Sequence, residues 1–225
     1  MKLSRPLTLV AAMSFALSAQ AVTVSDFGAN PPTENVEVSQ TISNGAYQWR
    51  NNEASRRDLG QSFLAETDFT LDSFSFQANG NVQVGASGAA FTVTIYENNN
   101  RDAVGTAIST QTGTYLTSAS NPVASNWLLF DLAENVDVTA GNYYTIMLSW
   151  NVASVTDQDQ VFQIDSTGTS YLPGRLWEYN GTTFTPMGYD MAFTVQAIPE
   201  PSTMAYGLGA GVLIVSLFLK RRRNR

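Results

Sequence analysis

The chain has 225 residues, 44% of them hydrophobic, and contains neither cysteine nor histidine. Those two absences exclude disulfides, Cys or His metal centres, cysteine nucleophiles and Ser-His-Asp triads. The formal charge of −7 hides an acidic middle: residues 22–219 carry five arginines against nineteen acids, a net of −14, which repels nucleic acid and anionic lipid and suits a solvated or polysaccharide setting.

At the N-terminus, Lys2 and Arg5 precede eleven largely apolar residues, Leu7 to Leu17, followed by Ala19-Gln20-Ala21. A basic start, a short apolar core and a small-residue exit predict a secretory signal peptide over 1–21, cleaved after Ala21. The alternative is an uncleaved anchor, for which the apolar core is short. The exported unit then spans 22–197, one domain large enough to build a core without disulfides.

Residues 28–36, with Pro31 and Pro32, read as an irregular lead-in. Beyond them the hydrophobicity alternates with period two. Phe91, Val93 and Ile95 share one face of a strand that ends at the Asn98-Asn99-Asn100 turn. Leu128, Phe130 and Leu132 form a second such face, and Tyr144, Ile146, Leu148 and Trp150 a third, after a turn at Ala140-Gly141-Asn142. In Phe69–Phe76 the apolar parity changes between Leu71 and Phe74, which predicts a bulge near Asp72 and Ser73. Further strands are expected at Gly60–Leu64, Val161–Ile164, Arg175–Tyr179 and Met191–Ala197, with a polar loop over 117–126. No convincing amphipathic helix interrupts this pattern. The fold expected is all-β, a jelly-roll-like two-sheet sandwich, with one C-terminal transmembrane helix outside it.

Three chemistries compete for the domain. Catalysis by two carboxylates needs no histidine, and Glu53, Asp58, Glu97, Asp131, Glu178 and Asp190 are available, but their spacing favours no pair. No catalytic residue is assigned and the chain is read as a non-enzyme. Carbohydrate binding needs exposed aromatic rings beside hydrogen-bonding side chains. Trp177, Tyr179 and Asn180, in the turn Trp177-Glu178-Tyr179-Asn180-Gly181, are the candidates, with Trp177 the ring expected to be exposed and Trp127 expected to be buried. Calcium takes oxygen ligands from loops, and Asp157 and Asp159 are the candidate ligands for a structural ion, with Asn98–Asp102 a second oxygen-rich stretch. Turn chemistry explains the same residues without metal, and no other cofactor is expected.

The C-terminal stretch 198–225 differs from the rest. Pro199-Glu200-Pro201 is followed by 18 uncharged residues, Ser202 to Leu219, and then by Lys220, Arg221, Arg222 and Arg223, with Arg225 last. As a helix, 202–219 reaches roughly 27 Å at ~1.5 Å per residue, close to the ~30 Å hydrocarbon thickness of a bilayer. The cations stay cytoplasmic and snorkel, which leaves Pro199, Glu200 and Pro201 outside, extended and non-helical. An ordinary single-span anchor would also fit, whereas a GPI-type tail would lack the terminal arginines.

This tail resembles the PEP-CTERM sorting signal of Gram-negative bacteria. The resemblance implies export through the secretion translocon and a transient single-pass precursor in the inner membrane. It also implies recognition at Pro199-Glu200-Pro201 by an exosortase, with a final place at the cell surface or in the extracellular matrix. Within 46–150, Gly60-Gln61-Ser62-Phe63, Phe69–Phe74, Phe91–Tyr96 and Val136–Tyr144 resemble the choice-of-anchor extracellular domains, type R in particular. That likeness implies location and fold and no activity. The function expected is a structural or adhesive role at the surface, the alternative a lectin-like module. An exopolysaccharide is the partner the setting offers, and nucleic acid is excluded by charge.

Overall fold

The computed structural model describes residues 21–52, 55–79, 87–116, 125–151 and 155–198, with the backbone alone for 52 and 155–160. Residues 1–20 of the expected signal peptide, Glu53, the Pro-Glu-Pro motif and the apolar tail with its basic cluster lie outside the described residues. Among those described there is no helix, and fourteen strands form two sheets.

The strands are β1 (Thr23–Gly28), β2 (Val36–Gln40), β3 (Gly45–Asn52), β4 (Ser55–Leu64), β5 (Phe69–Gln77), β6 (Ala90–Asn98) and β7 (Thr106–Thr114). They continue as β8 (Trp127–Val138), β9 (Tyr143–Trp150), β10 (Val155–Asp165), β11 (Leu176–Tyr179), β12 (Phe184–Pro186), β13 (Asp190–Met191) and β14 (Phe193–Ala197). The smaller sheet has the order β1-β8-β5-β14-β2, and the larger runs β13-β10-β3-β4-β9-β6-β7. β11 joins the larger sheet beside β4, and β12 pairs with β11. The result is an all-β two-sheet sandwich in which β2 lies beside β14, β5 beside β8, β4 beside β9 and β6 beside β7.

The alternating strands bury the faces their periodicity marks. Phe91, Val93, Ile95, Leu128, Phe130, Leu132, Tyr144, Ile146, Leu148 and Trp150 are all in the core. Gly141 takes φ 85° in the turn before β9, a left-handed conformation that costs glycine nothing. The parity change in β5 coincides with a register jump: Leu71 faces Val136, whereas Ser73 faces Asp131. The jump lets Leu71, Phe74 and Phe76 all point inward although their spacing is uneven.

Aromatic rings close the space between the sheets. Trp49 from β3 stacks on Trp150 from β9 with centroids 3.7 Å apart and planes 11° from parallel. Phe91 and Tyr115 meet the same indole edge-on at 5.9 Å. Phe130, from the smaller sheet, meets Phe91 edge-on and so ties the layers together. Trp127 is buried, as its strand led us to expect.

The chain changes sheets at Ala192. Asp190 and Met191 pair with β10 in the larger sheet, and Phe193 onward pairs with both β5 and β2 in the smaller. All residues from Asp190 to Ala197 are buried. The Ala197 amide donates to Asn35 O at 2.9 Å and the Ile198 amide to Thr70 O at 2.9 Å, so the backbone is bonded up to the residue that precedes Pro199.

Candidate functional site

The β11–β12 hairpin carries the three residues the sequence offers for sugar stacking. Asn180 makes the turn: its Oδ1 accepts hydrogen bonds from the Thr182 and Thr183 amides, each at 2.9 Å. Tyr179 is half-buried and stacks on Phe184 across the hairpin at 4.5 Å, with the Arg56 guanidinium 5.9 Å from its ring centre. The exposed indole expected at position 177 is overturned. Trp177 is only 2% exposed and its Nε1 has no hydrogen-bond partner. Its cross-strand neighbours are Gly60 and Pro186, small residues that let an indole lie against the sheet instead of standing out from it. Tyr179 and Asn180 are thus brought together at the hairpin, and Trp177 beneath them belongs to the packing.

Alternation along β11 places Glu178 on the side of the core residue Leu176 and away from Tyr179. There it accepts a 2.6 Å hydrogen bond from the Tyr47 hydroxyl and pairs with Arg57 Nε at 3.1 Å. The Arg57 guanidinium also lies 4.5 Å from the centre of the Tyr47 ring, a cation–π contact. Burial, reinforced by the bond to Glu178, pushes the Tyr47 phenol up to about 12, so it stays a neutral donor. Asp58 is fully buried on the other face and is held by Arg56 Nη2 at 2.7 Å. Burial raises its pKa from the ordinary aspartate value, and Arg56 opposes the rise. Asp58 and Glu178 therefore serve different faces of one sheet and do not form a catalytic pair. Glu97 accepts from Asn142 Nδ2 at 2.7 Å and Asp131 from Thr23 Oγ1 at 3.2 Å, both at exposed positions.

The calcium expectation changes form. Asp157 and Asp159 lie on strand β10, not in a loop, and their side chains are outside the described residues. In the second oxygen-rich stretch, Asn98 Oδ1 accepts from the Gly105 amide, Asn100 Oδ1 from the Asp102 amide, and Asp102 pairs with Arg175. Among the described residues no three acidic side chains gather where a cation could sit.

Two carboxylates the sequence does not connect face each other across β10 and β13. Asp165 and Asp190 are register partners, both fully buried. Burial alone would raise Asp165, but the Ser170 and Thr167 hydroxyls and the amides of the same residues outweigh it and hold the group well below the usual carboxylate range. Asp190 has a weaker set: burial dominates, Gln61 Nε2 at 3.1 Å opposes, and the pKa is raised to about 6. Below about pH 4 the Asp190 carboxyl is protonated both folded and unfolded and contributes nothing. Between about 4 and 6 the folded chain keeps a proton that the unfolded chain releases, so this group's contribution to stability falls as pH rises. We expect the stability of Asp190→Asn, relative to the parent, to improve by about 2–3 kcal/mol between pH 4 and pH 7. Urea unfolding at the two pH values measures this, and a difference independent of pH would contradict it.

An open groove of about 1040 Å³ lies at the end of the smaller sheet, lined by Ala197 and Ile198 among others. Three carboxylates line it, and each already holds a donor: Thr67 on Glu37, the Ala140 amide on Asp68 and Thr70 on Asp137.

No family model and no curated protein matches the chain. Among solved structures it is similar to the cysteine protease and lectin-like domains of Cwp84, a surface layer associated protein of Clostridium difficile. The identity is 10% and the TM-score 0.38, over 68% of this chain and 36% of that one. The chain thus spans about a third of that structure's length, and a likeness this slight carries no functional argument.

Proposed function

We propose that the chain is an exported, non-enzymatic protein. In this reading it is presented or released at the surface of a Gram-negative cell through exosortase recognition of Pro199-Glu200-Pro201, and its jelly-roll-like sandwich has a structural or adhesive matrix role. The observation that carries this reading is an order of parts: a leader, an acidic β-sandwich, and an extended Pro-Glu-Pro segment ahead of an apolar run and terminal arginines. The sandwich is consistent with it: its last strand closes at Ala197, the Ile198 amide still donates to Thr70 O, and the motif follows next in sequence. The nested pairing of β2 with β14, β4 with β9, β5 with β8 and β6 with β7 supports the jelly-roll reading. Before processing, residues 22–197 lie outside and 220–225 in the cytoplasm, because terminal cations resist translocation.

A second reading, carbohydrate binding, is favoured by the half-buried rings of Tyr47 and Tyr179, each beside a guanidinium, on the two faces of the β4–β11 region. Sorting is tested by Glu200→Ala and Pro201→Ala in a host that carries the membrane enzyme. We expect full-length protein to accumulate in the inner membrane, read on a blot of fractionated cells. Unchanged maturation would reduce the tail to an ordinary anchor.

A further inference from the structure

We propose that the cleft between the loop after β6 and the segment around Gly188 binds a hexuronate, a sugar ring bearing one carboxylate, which Arg101 receives. Of the arginines between residues 22 and 198, four have partners: Arg56 holds Asp58, Arg57 holds Glu178, Arg175 holds Asp102, and Arg50 bonds the Gln48 amide oxygen. Arg101 makes no ion pair among the described residues and meets Asp190 only as a charge at longer range. Its Nε is shielded from solvent without an acceptor, as is that of Arg175 beside it. A buried N–H without a partner is costly, and an incoming anion offers the guanidinium the charge-assisted hydrogen bonds it lacks. In a chain whose middle carries a net −14, this cleft gathers two of the five arginines, and with Asp102 on Arg175 and Asp190 in the lining it is locally neutral where its surroundings are acidic.

The walls define the ligand further. Asp190 lines the same cleft, so a dianion such as phosphate meets about twice the repulsion that a monoanion meets. Met187 and Tyr189 supply surface for the C–H face of a ring. At Gly188 an added Cβ would meet nothing within 4 Å, so the wall there opens onto free space. The volume of about 160 Å³ accommodates one sugar residue, well below the roughly 300–1,000 Å³ of drug-sized sites. The site rests on this geometry alone; only the choice of a surface polysaccharide as its source rests on the function proposed above.

The test is titration of the full chain in detergent micelles with methyl glucuronide, methyl glucoside, acetate and inorganic phosphate, followed by calorimetry. We expect glucuronide to bind, acetate to bind at least tenfold more weakly, and glucoside and phosphate not to bind. Arg101→Gln breaks no ion pair and Gly188→Leu fills open space, so both should keep the parent melting temperature while weakening glucuronide at least tenfold. No glucuronide binding by the parent, equal binding of glucoside or of acetate, or full binding by folded Arg101→Gln would each overturn the proposal. The comparison of glucuronide with glucoside needs no variant. Loss of processing in the sorting test would leave this site intact, and failure here would leave sorting untouched.

Discussion

Trp49→Ala should cost the domain a third or more of its stability. The indole is fully buried, stacked on Trp150 and edged by Phe91 and Tyr115, and its carbonyl accepts the Trp150 Nε1 hydrogen bond at 3.2 Å. Truncating such a ring costs about 3–5 kcal/mol in transfer and cavity terms, with further loss from the aromatic pairs. Domains of this size have roughly 5–15 kcal/mol in total. We expect the midpoint in urea to fall by a third or more. Trp49→Phe, which keeps an aromatic face on Trp150, should lose less than half as much. Equal losses for the two variants would show that ring stacking contributes little here.

Trp177→Ala should also destabilise the domain strongly, by about 3 kcal/mol, because its buried ring lies outside the main core cluster and has fewer aromatic neighbours to lose. This outcome separates packing from ligand stacking. An exposed stacking ring could be removed with little change in melting temperature and complete loss of sugar binding. Unchanged stability of Trp177→Ala would restore the indole to the surface and to the lectin reading, whereas a large loss keeps it in the scaffold.

The strands legible in the sequence were those whose burial is carried by large apolar side chains. The inward faces of β6, β8 and β9 could be marked residue by residue, and the parity break in β5 located the register jump. β7 gave no such signal, because its inward positions are Gln111 and Gly113. Gln111 nevertheless has structural work: its Oε1 accepts from the Ala133 and Glu134 amides and its Nε2 donates to Glu134 O, which satisfies β8 where its pairing with β5 is interrupted. Trp177 was misread for a related reason. Period two says which side of a strand a residue takes, but it cannot say which neighbours leave that side covered. The Arg101–Arg175 cleft had no sequence signal either, since its cations come from distant segments and meet only when β11 docks on β4. Asp165 and Asp190 are likewise joined only by the register of β10 with β13.

The last strand also sets how the molecule would carry load. β14 lies between β5 and β2, and the chain leaves it at Ile198 with no slack before Pro199. Tension on the segment that follows acts along the axis of a strand bonded on both edges. In an antiparallel ladder the hydrogen bonds run across the strands, so such a pull loads them together in shear, where a pull across the strands would peel them one after another. A domain pulled at this point would behave as a rivet seated in its own sheet, with force passing through β14 straight into the interior.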